Sequence, residues 1–443
     1  MIKKLWEDPY EAEYNPHVDR LTGGKIKRHL KIGFSSYWFS LNPVLDDHIT
    51  KNSKEAVYLK HFLKLGYVYW LGLSPKPFNI NHPRAVDCSL EFKEKLPNWD
   101  KKRFGTTPNY MAFCITQYRK KLGIQLPQLD FVFMNLMPTF VRRNARNYVL
   151  LHEYAIRTKT PVLAYSIELA LVYQGVKDLE LTGKGRTEKT DSGKLMNISG
   201  YDYRDKKSHI KMAPNMIHLV QADGPAIKTL QNGNPLLTFC TWWLPYDKQI
   251  TKQYKVVTES NKIKYPISYV GNDNRRRSAI AKWFGKMPDG FVHMFGGKHR
   301  KELGPTWPDA LTKKYPNIKW NPPVEIKNVG RIYNKTGACM NLAMPAHEAV
   351  GCQTWRHIEA PLGGCPLLLP NSVANAKRLA LLNDDWCVVT SPEELQAKTE
   401  TLIERPLLRK ELVELQRDKI KSKYTMENNL RHLFKILTKR IGT

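Results

Sequence analysis

The sequence predicts an α/β protein of two doubly wound, parallel-sheet domains facing across a cleft. Three observations predict it. Short apolar strand candidates alternate with helical stretches, the pattern of parallel strands buried on both faces. The alternation runs through two series, one on each side of residue 250. At 443 residues the chain is also too long for one ordinary core.

Residues 1–30 are charged and turn-rich, with Pro9, Pro16 and Gly23-Gly24, and read as an irregular arm. Residues 30–34 are a strand candidate, 55–65 have helical spacing, and Gly66 closes that helix before a strand at 67–73. A strand candidate at 130–135, a helical stretch at 143–159 and an apolar run at 161–166 follow. Residues 74–125 and 176–212 are polar, basic and irregular, so they read as surface insertions in the first domain. The second series begins at 265–271 and continues through 291–296, 318–320, 338–342, 365–369 and 386–389. These boundaries predict a first domain over 1–250, a second over 251–425, and a C-terminal segment 426–443 whose helix packs back on the first. Ligands of such sheets bind in the crevice outside the carboxyl ends of the strands.

Lys and Arg number 70 against 41 Asp and Glu, a formal charge of +29, far beyond what solubility needs. A polyanion is the first expected partner, with nucleic acid ahead of an anionic membrane or glycan surface. Solvated helix faces are the bland alternative, and they do not explain an excess spread over the whole chain. Hydrophobic residues at 42% and aromatics at 11% suffice for real cores and exclude wholesale disorder. No uncharged apolar run approaches the ~18–20 residues that span a bilayer. The opening residues 1–8 lack the apolar segment of a secretion signal, so a cytoplasmic protein with no membrane partner is expected. Seven widely spaced Cys without a C-x-x-C pair argue against a disulfide framework and a zinc ribbon. No metal site is predicted among the thirteen His either, which include no H-E-x-x-H.

The most informative local arrangement is Thr354-Trp355-Arg356-His357-Ile358-Glu359-Ala360. Positions i and i+3 of a helix share a face, so Arg356 and Glu359 point the same way. A guanidinium offers planar, permanently charged donors for phosphate oxygens, and a carboxylate accepts two hydroxyl protons, so the pair suits a nucleotide diphosphate sugar. An exposed intrahelical salt bridge is the competing reading. A second arrangement, Val270-Gly271-Asn272-Asp273-Asn274-Arg275-Arg276-Arg277, lies between a strand and the helical stretch 278–284. A strand–turn–helix start supplies backbone N–H groups and a positive dipole end, and Arg275, Arg276 and Arg277 add fixed charge. A basic helix start facing solvent is the alternative there. The absence of G-x-x-x-x-G-K-[ST] and G-x-G-x-x-G argues against nucleoside triphosphate hydrolysis and dinucleotide oxidoreduction.

In these words and their order, the chain resembles the T-even phage DNA β-glucosyltransferases, enzymes of the two-domain, Rossmann-like GT-B class. The matching pieces are Tyr269-Val270-Gly271 with Arg276, the Thr354–Glu359 word, residues 407–418 of the tail, residues 30–32 and 53–59 of the first half, and a linker similar in character at 239–250. The resemblance implies transfer of a sugar, glucose or an arabinose-like one, from a UDP-sugar to a 5-hydroxymethylpyrimidine, 5-hydroxymethylcytosine foremost, in double-stranded DNA. That would shield a phage genome from host nucleases, and it places the protein in the cytoplasm of an infected cell as a monomer. It also implies that Arg356 contacts the diphosphate and Glu359 the ribose, that Arg276, helped by Arg275 or Arg277, grips the phosphates, and that backbone near Ile326 reads the uracil edge. UDP-glucose and UDP-arabinose are the donors considered. Mg2+ or Mn2+ would suit the diphosphate, though no D-x-D motif supports a dedicated site.

The chain departs from the family where the catalytic aspartate is expected and Ser166 stands. Glu168, two residues on, is the first candidate base. Glu55, matching a family glutamate of the acceptor cleft, is the second, and Asp47, beside Asp46 and His48, is the third. The stretch Phe140-Val141-Arg142-Arg143-Asn144-Ala145-Arg146 matches the family's DNA-facing loop, so Arg142, Arg143 and Arg146 are expected on DNA, with Lys102 and Arg103 of the Lys101-Lys102-Arg103-Phe104 run. A base stacked in a duplex cannot offer its hydroxymethyl group for attack, so base flipping is expected. The rival readings are a GT-B transferase of surface glycans and a DNA-binding relative without catalysis.

Overall fold

The structure is a computed structural model. It describes residues 13–35, 54–70, 82–87, 128–135, 159–165, 187–189, 195–197, 216–222, 224–233, 238–247, 262–271, 276–297, 307–343, 345–380 and 385–441. The chain divides into two compact units. Unit 1 comprises Met1–Trp242 and Met426–Thr443, and unit 2 comprises Trp243–Thr425.

Unit 1 is built on a seven-stranded parallel sheet. Its strands are β1 (Leu30–Ser35), β2 (Gly66–Trp70), β3 (Ala85–Asp87), β4 (Phe131–Asn135), β5 (Val162–Tyr165), β8 (Met216–Val220) and β9 (Thr238–Thr241). Two further strands, β6 (Thr187–Lys189) and β7 (Leu195–Asn197), form a separate antiparallel pair. The order β3-β2-β1-β4-β5-β8-β9 reverses between β1 and β4, the switch point of a doubly wound sheet. Continuous apolar runs make these strands, and Val162–Tyr165 is buried at every position, as a central parallel strand requires. The core is ring-rich. Phe34 stacks on Phe133 at 5.2 Å between centroids, while Tyr58 meets Phe133, Tyr165 and Trp242 edge-on at 5.4, 5.4 and 5.5 Å.

Three readings of this half change. Gly66, expected to close the helix ahead of the strand, is itself the first residue of β2: a Cβ there would overlap the Leu30 backbone of β1, so the glycine answers a close approach between neighbouring strands. Residues 85–87 of the first supposed insertion pair with β2 and form the edge of the sheet. The expected linker at 239–250 begins inside β9, and the passage from unit 1 to unit 2 falls at Trp242–Trp243, before residue 250. Trp242 stays with unit 1 because its N–H donates to the Val220 carbonyl at 2.7 Å and its ring fills the aromatic core. Trp243 packs on Tyr424 within unit 2.

The helix Met426–Ile441 belongs to unit 1. Leu430, Leu433, Phe434 and Leu437 follow helical spacing and are fully buried, and this face packs against the helix Pro16–Thr22 and β9. Asn15 caps Pro16–Thr22 by accepting from His17 and Val18 N–H, and it donates to the carbonyls of Lys64 and Leu65.

Unit 2 carries a six-stranded parallel sheet of β10 (Tyr265–Val270), β11 (Val292–Gly297), β12 (Lys319–Val324), β13 (Thr336–Met340), β14 (Leu367–Pro370) and β15 (Val388–Val389). The order β12-β11-β10-β13-β14-β15 reverses between β10 and β13. Pro322 and Pro323 fall in β12, where an edge strand tolerates the lost donors. Cys339, Cys352, Cys365 and Cys387 here, and Cys240 in unit 1, are buried thiols outside any disulfide. Burial pushes the Cys240 and Cys339 thiols up to about 12.

Candidate functional site

The two local words singled out above meet at the switch point of unit 2. Gly271 follows β10 and Arg276 precedes the helix Arg277–Phe284. Asn341 and Leu342 follow β13, and Arg356 and Glu359 lie in the first turn of the helix Arg356–Leu362. Two arginines cross the switch in opposite senses. Arg276, from the β10 side, donates its Nε–H to the Leu342 carbonyl at 3.0 Å. Arg356, from the β13 side, donates its Nε–H to the Val270 carbonyl at 3.0 Å. Each guanidinium is thus anchored on backbone at the carboxyl ends of the strands, where ligands of open α/β sheets bind.

Arg356 is held further. Its Nη2 donates to Val270 O and to the Tyr269 hydroxyl, both at 2.8 Å, and its Cζ lies 4.2 Å from the centre of the Tyr269 ring. Burial opposes the charge of Arg356, but Tyr269, Tyr333 and Glu359 around it outweigh that and hold its pKa above the ordinary value. Gly271 makes the arrangement possible, since a Cβ there would overlap Nη2. Beneath lies Tyr333, fully buried, its hydroxyl pKa raised by burial, by Cys339 and by Glu359.

His357 fixes the start of the helix. Its Nδ1 accepts from the Thr354 backbone N–H at 3.0 Å, the Thr354 hydroxyl donates to Asn341 Oδ1 at 3.3 Å, and burial drives the imidazole down to about 3. A neutral, buried His357 therefore positions the turn that carries Arg356 and Glu359. Arg277 is exposed at the first helical position, and the helix has no side-chain cap.

Ile326 is the first residue of the helix Ile326–Asn334, and Glu55 lies in the helix Lys54–Leu65; their backbones are placed, and their side chains lie outside the described residues. Glu168, Asp47, Ser166, Arg275, Arg142, Arg143, Arg146, Lys102 and Arg103 also lie outside the described residues. The residue that sequence reasoning missed is Tyr269. Its signal was a tyrosine two places before a strand-end glycine, inside a word already noted.

A crevice of about 860 Å3 opens elsewhere in unit 2, lined by Asn371, Asn375, Asp385, Trp386 and Thr390 among others. Its charges already satisfy one another. Lys377 pairs with Asp385 at 2.6 Å and Lys398 with Glu394 at 2.8 Å, and the bonds from Lys398 and Thr390 hold the Glu394 carboxyl down to about 2. The two arginines anchored on strand-end carbonyls lie at the switch point instead. Among the described residues, no group of three or more His, Cys, Asp or Glu could hold a metal ion, and no helix is long and apolar enough to cross a membrane.

Residues 275–435, which include most of this arrangement, match a family model described as glycosyl transferase-like. T4 phage BGT in complex with its UDP-glucose substrate is similar in fold, at 12% identity and a TM-score of 0.50, over 92% of this chain and 98% of that one. The DNA modifying enzyme beta-glucosyltransferase, solved in the presence and absence of uridine diphosphoglucose, is 11% identical with a TM-score of 0.51, over 94% and 100%. Anabaena Alr3699/HepE in complex with UDP-glucose is 10% identical with a TM-score of 0.47, over 94% and 100%. No curated protein sequence matches the chain. The architecture of two parallel-sheet α/β domains is the GT-B fold.

Proposed function

We propose that the protein is a GT-B glycosyltransferase that moves a sugar from a UDP-sugar to a hydroxymethylated pyrimidine of duplex DNA. The observation that carries this is the pair of arginines crossing the unit 2 switch point with Glu359 one turn from Arg356. The glycosyl transferase-like match over the same residues and the GT-B fold support the transferase. The formal charge of +29 supports a polyanionic acceptor, and the resemblance to the DNA β-glucosyltransferases supports DNA as that acceptor.

Arg356 and Arg276 hold the diphosphate, and their charge stabilises UDP as negative charge develops on the leaving oxygen. Glu359 accepts from the ribose hydroxyls, and N–H groups of the first turn at Ile326 read the uracil. The acceptor hydroxymethyl oxygen forms its bond to the anomeric carbon while the bond to UDP breaks and UDP leaves with the electron pair. The hydroxyl proton passes to a carboxylate, with Glu168 first and Glu55 and Asp47 behind it. Arg142, Arg143, Arg146, Lys102 and Arg103 neutralise DNA phosphates, so binding weakens steeply with salt. The described residues do not fit a dedicated metal site, and no step uses one.

The test incubates the protein with hydroxymethylated or plain duplex DNA and a panel of UDP-sugars, and weighs the released nucleosides by mass spectrometry. A mass gain of one sugar on the hydroxymethylated nucleoside is expected. Gain on plain DNA alone would remove the acceptor assignment, and no gain with any DNA, alongside intact UDP binding, would leave a transferase with a different acceptor.

A further inference from the structure

We infer that Tyr269 is a positioning residue that aims the Arg356 guanidinium at the diphosphate, and that Gly271 provides the room this needs. The inference rests on reading unit 2 as the donor domain. A guanidinium has five N–H donors in a rigid fork. Nε–H and the Nη2 pair are committed to the Val270 carbonyl and the Tyr269 hydroxyl. The two N–H groups of Nη1 have no protein partner among the described residues, so Arg356 presents one defined edge at the carboxyl ends of β10 and β13. Tyr269 acts on that edge twice: its hydroxyl receives Nη2, and its ring lies under the guanidinium plane.

This arrangement matters because a free arginine side chain carries rotamer entropy that binding would otherwise have to overcome. Tyr269 is itself immobilised, fully buried as the next-to-last residue of β10. A rigid strand therefore fixes a long, otherwise mobile side chain before any ligand arrives, the general route by which preorganisation raises affinity. Gly271 belongs to the same device, since any side chain there would push Nη2 off the tyrosine.

Three variants test this by calorimetric titration with UDP, by KM and kcat for the UDP-sugar, and by thermal unfolding. Tyr269→Phe removes only the hydroxyl and keeps the ring. It is expected to raise the Kd for UDP and the KM about 3- to 10-fold, as loss of one hydrogen bond does, with kcat within about 2-fold and unfolding unchanged. Gly271→Ala is expected to raise both by more than 10-fold. Combining it with Tyr269→Phe should add little, because both act through Arg356. A Tyr269→Phe protein that binds UDP like the wild type, while Arg356→Ala loses it, overturns the positioning role and leaves the donor reading standing. So does a Tyr269→Phe protein that unfolds at lower temperature with Kd and KM unmoved. An Arg356→Ala protein that binds UDP as tightly as the wild type overturns the donor reading, and this inference with it.

Discussion

At the switch point of the first sheet, β1 and β4 meet through Phe34 and Phe133, stacked at 5.2 Å and closed over by Tyr58, Tyr165 and Trp242. At that of the second, β10 and β13 are neighbours in the same sense, but Arg276 and Arg356 cross between their carboxyl ends. The topology is common to both units, and among the described residues the side chains at the two crossings are not. A doubly wound sheet fixes where a ligand would sit, outside the carboxyl ends of its strands, and the side chains there decide the chemistry. The described part of unit 1 is held by aromatic packing, and unit 2 carries two arginines on its own rim, the groups proposed to bind the diphosphate.

The largest effect that tests this contrast is on stability. Phe133→Ala removes a fully buried ring that touches Phe34, Tyr58, Phe62 and Tyr165, and should lower the unfolding free energy by about 3–5 kcal/mol. UDP affinity of the folded fraction should not change. A parallel fall in affinity, measured below the denaturation midpoint, would break the separation of roles. Next comes Arg356→Ala, expected to cost about 100- to 1000-fold in transfer rate, the range for removing one donor to a developing oxyanion. Arg356→Lys should recover little, because an ammonium cannot serve Val270 O and the Tyr269 hydroxyl while also reaching a phosphate. Full recovery by lysine would reduce the site to a point charge.

These predictions also separate what was legible in the sequence from what was not. Arg356, Glu359, Gly271 and Arg276 were legible because each lies within a few residues of a strand end or helix start, where spacing alone sets direction. The same spacing aims Arg356 alongside Glu359, and it does not foresee that Tyr269, 87 positions away, captures the guanidinium. Gly66 was read correctly as a break and given the wrong cause, since the Leu30 backbone that crowds it comes from a distant strand. The strands β8 and β9 escaped notice because Met216–Val220 and Thr238–Thr241 are short runs that gain their identity from pairing with β5 and with each other. The first-unit site residues depend on long-range placement of the segments after β1, β4 and β5, which local pattern does not supply.

A smaller effect follows from two buried histidines, one in each unit. Burial lowers His218 of β8 to about 4 and His357 to about 3, against an ordinary value near 6.5. Below about pH 6.5, and down to about pH 4 for His218 and 3 for His357, each is neutral when folded while the unfolded chain binds its proton, so stability falls as pH falls. Each contributes a slope of at most about 1.4 kcal/mol per pH unit. His357→Asn retains an acceptor for the Thr354 N–H without a titrating ring, and should flatten the pH dependence of unfolding in that window. An unchanged slope would mean that His357 is not neutral and buried, and the account of how the Arg356 turn is held would fail.

The finest distinction concerns Glu359, one turn from Arg356 on the rim of unit 2. If its carboxylate accepts from the ribose, Glu359→Gln should weaken UDP about 10-fold, equal to about 1.4 kcal/mol. Pyrophosphate, which has no ribose, should bind both proteins alike. A 2′-deoxy-UDP titration sharpens this as a cycle of protein and ligand changes: the variant and the missing hydroxyl should not add, because each removes the same contact. Fully additive losses would detach Glu359 from the ribose. The carboxylate's remaining role would then be the one it already has in the protein, sustaining the charge of Arg356 from one turn away.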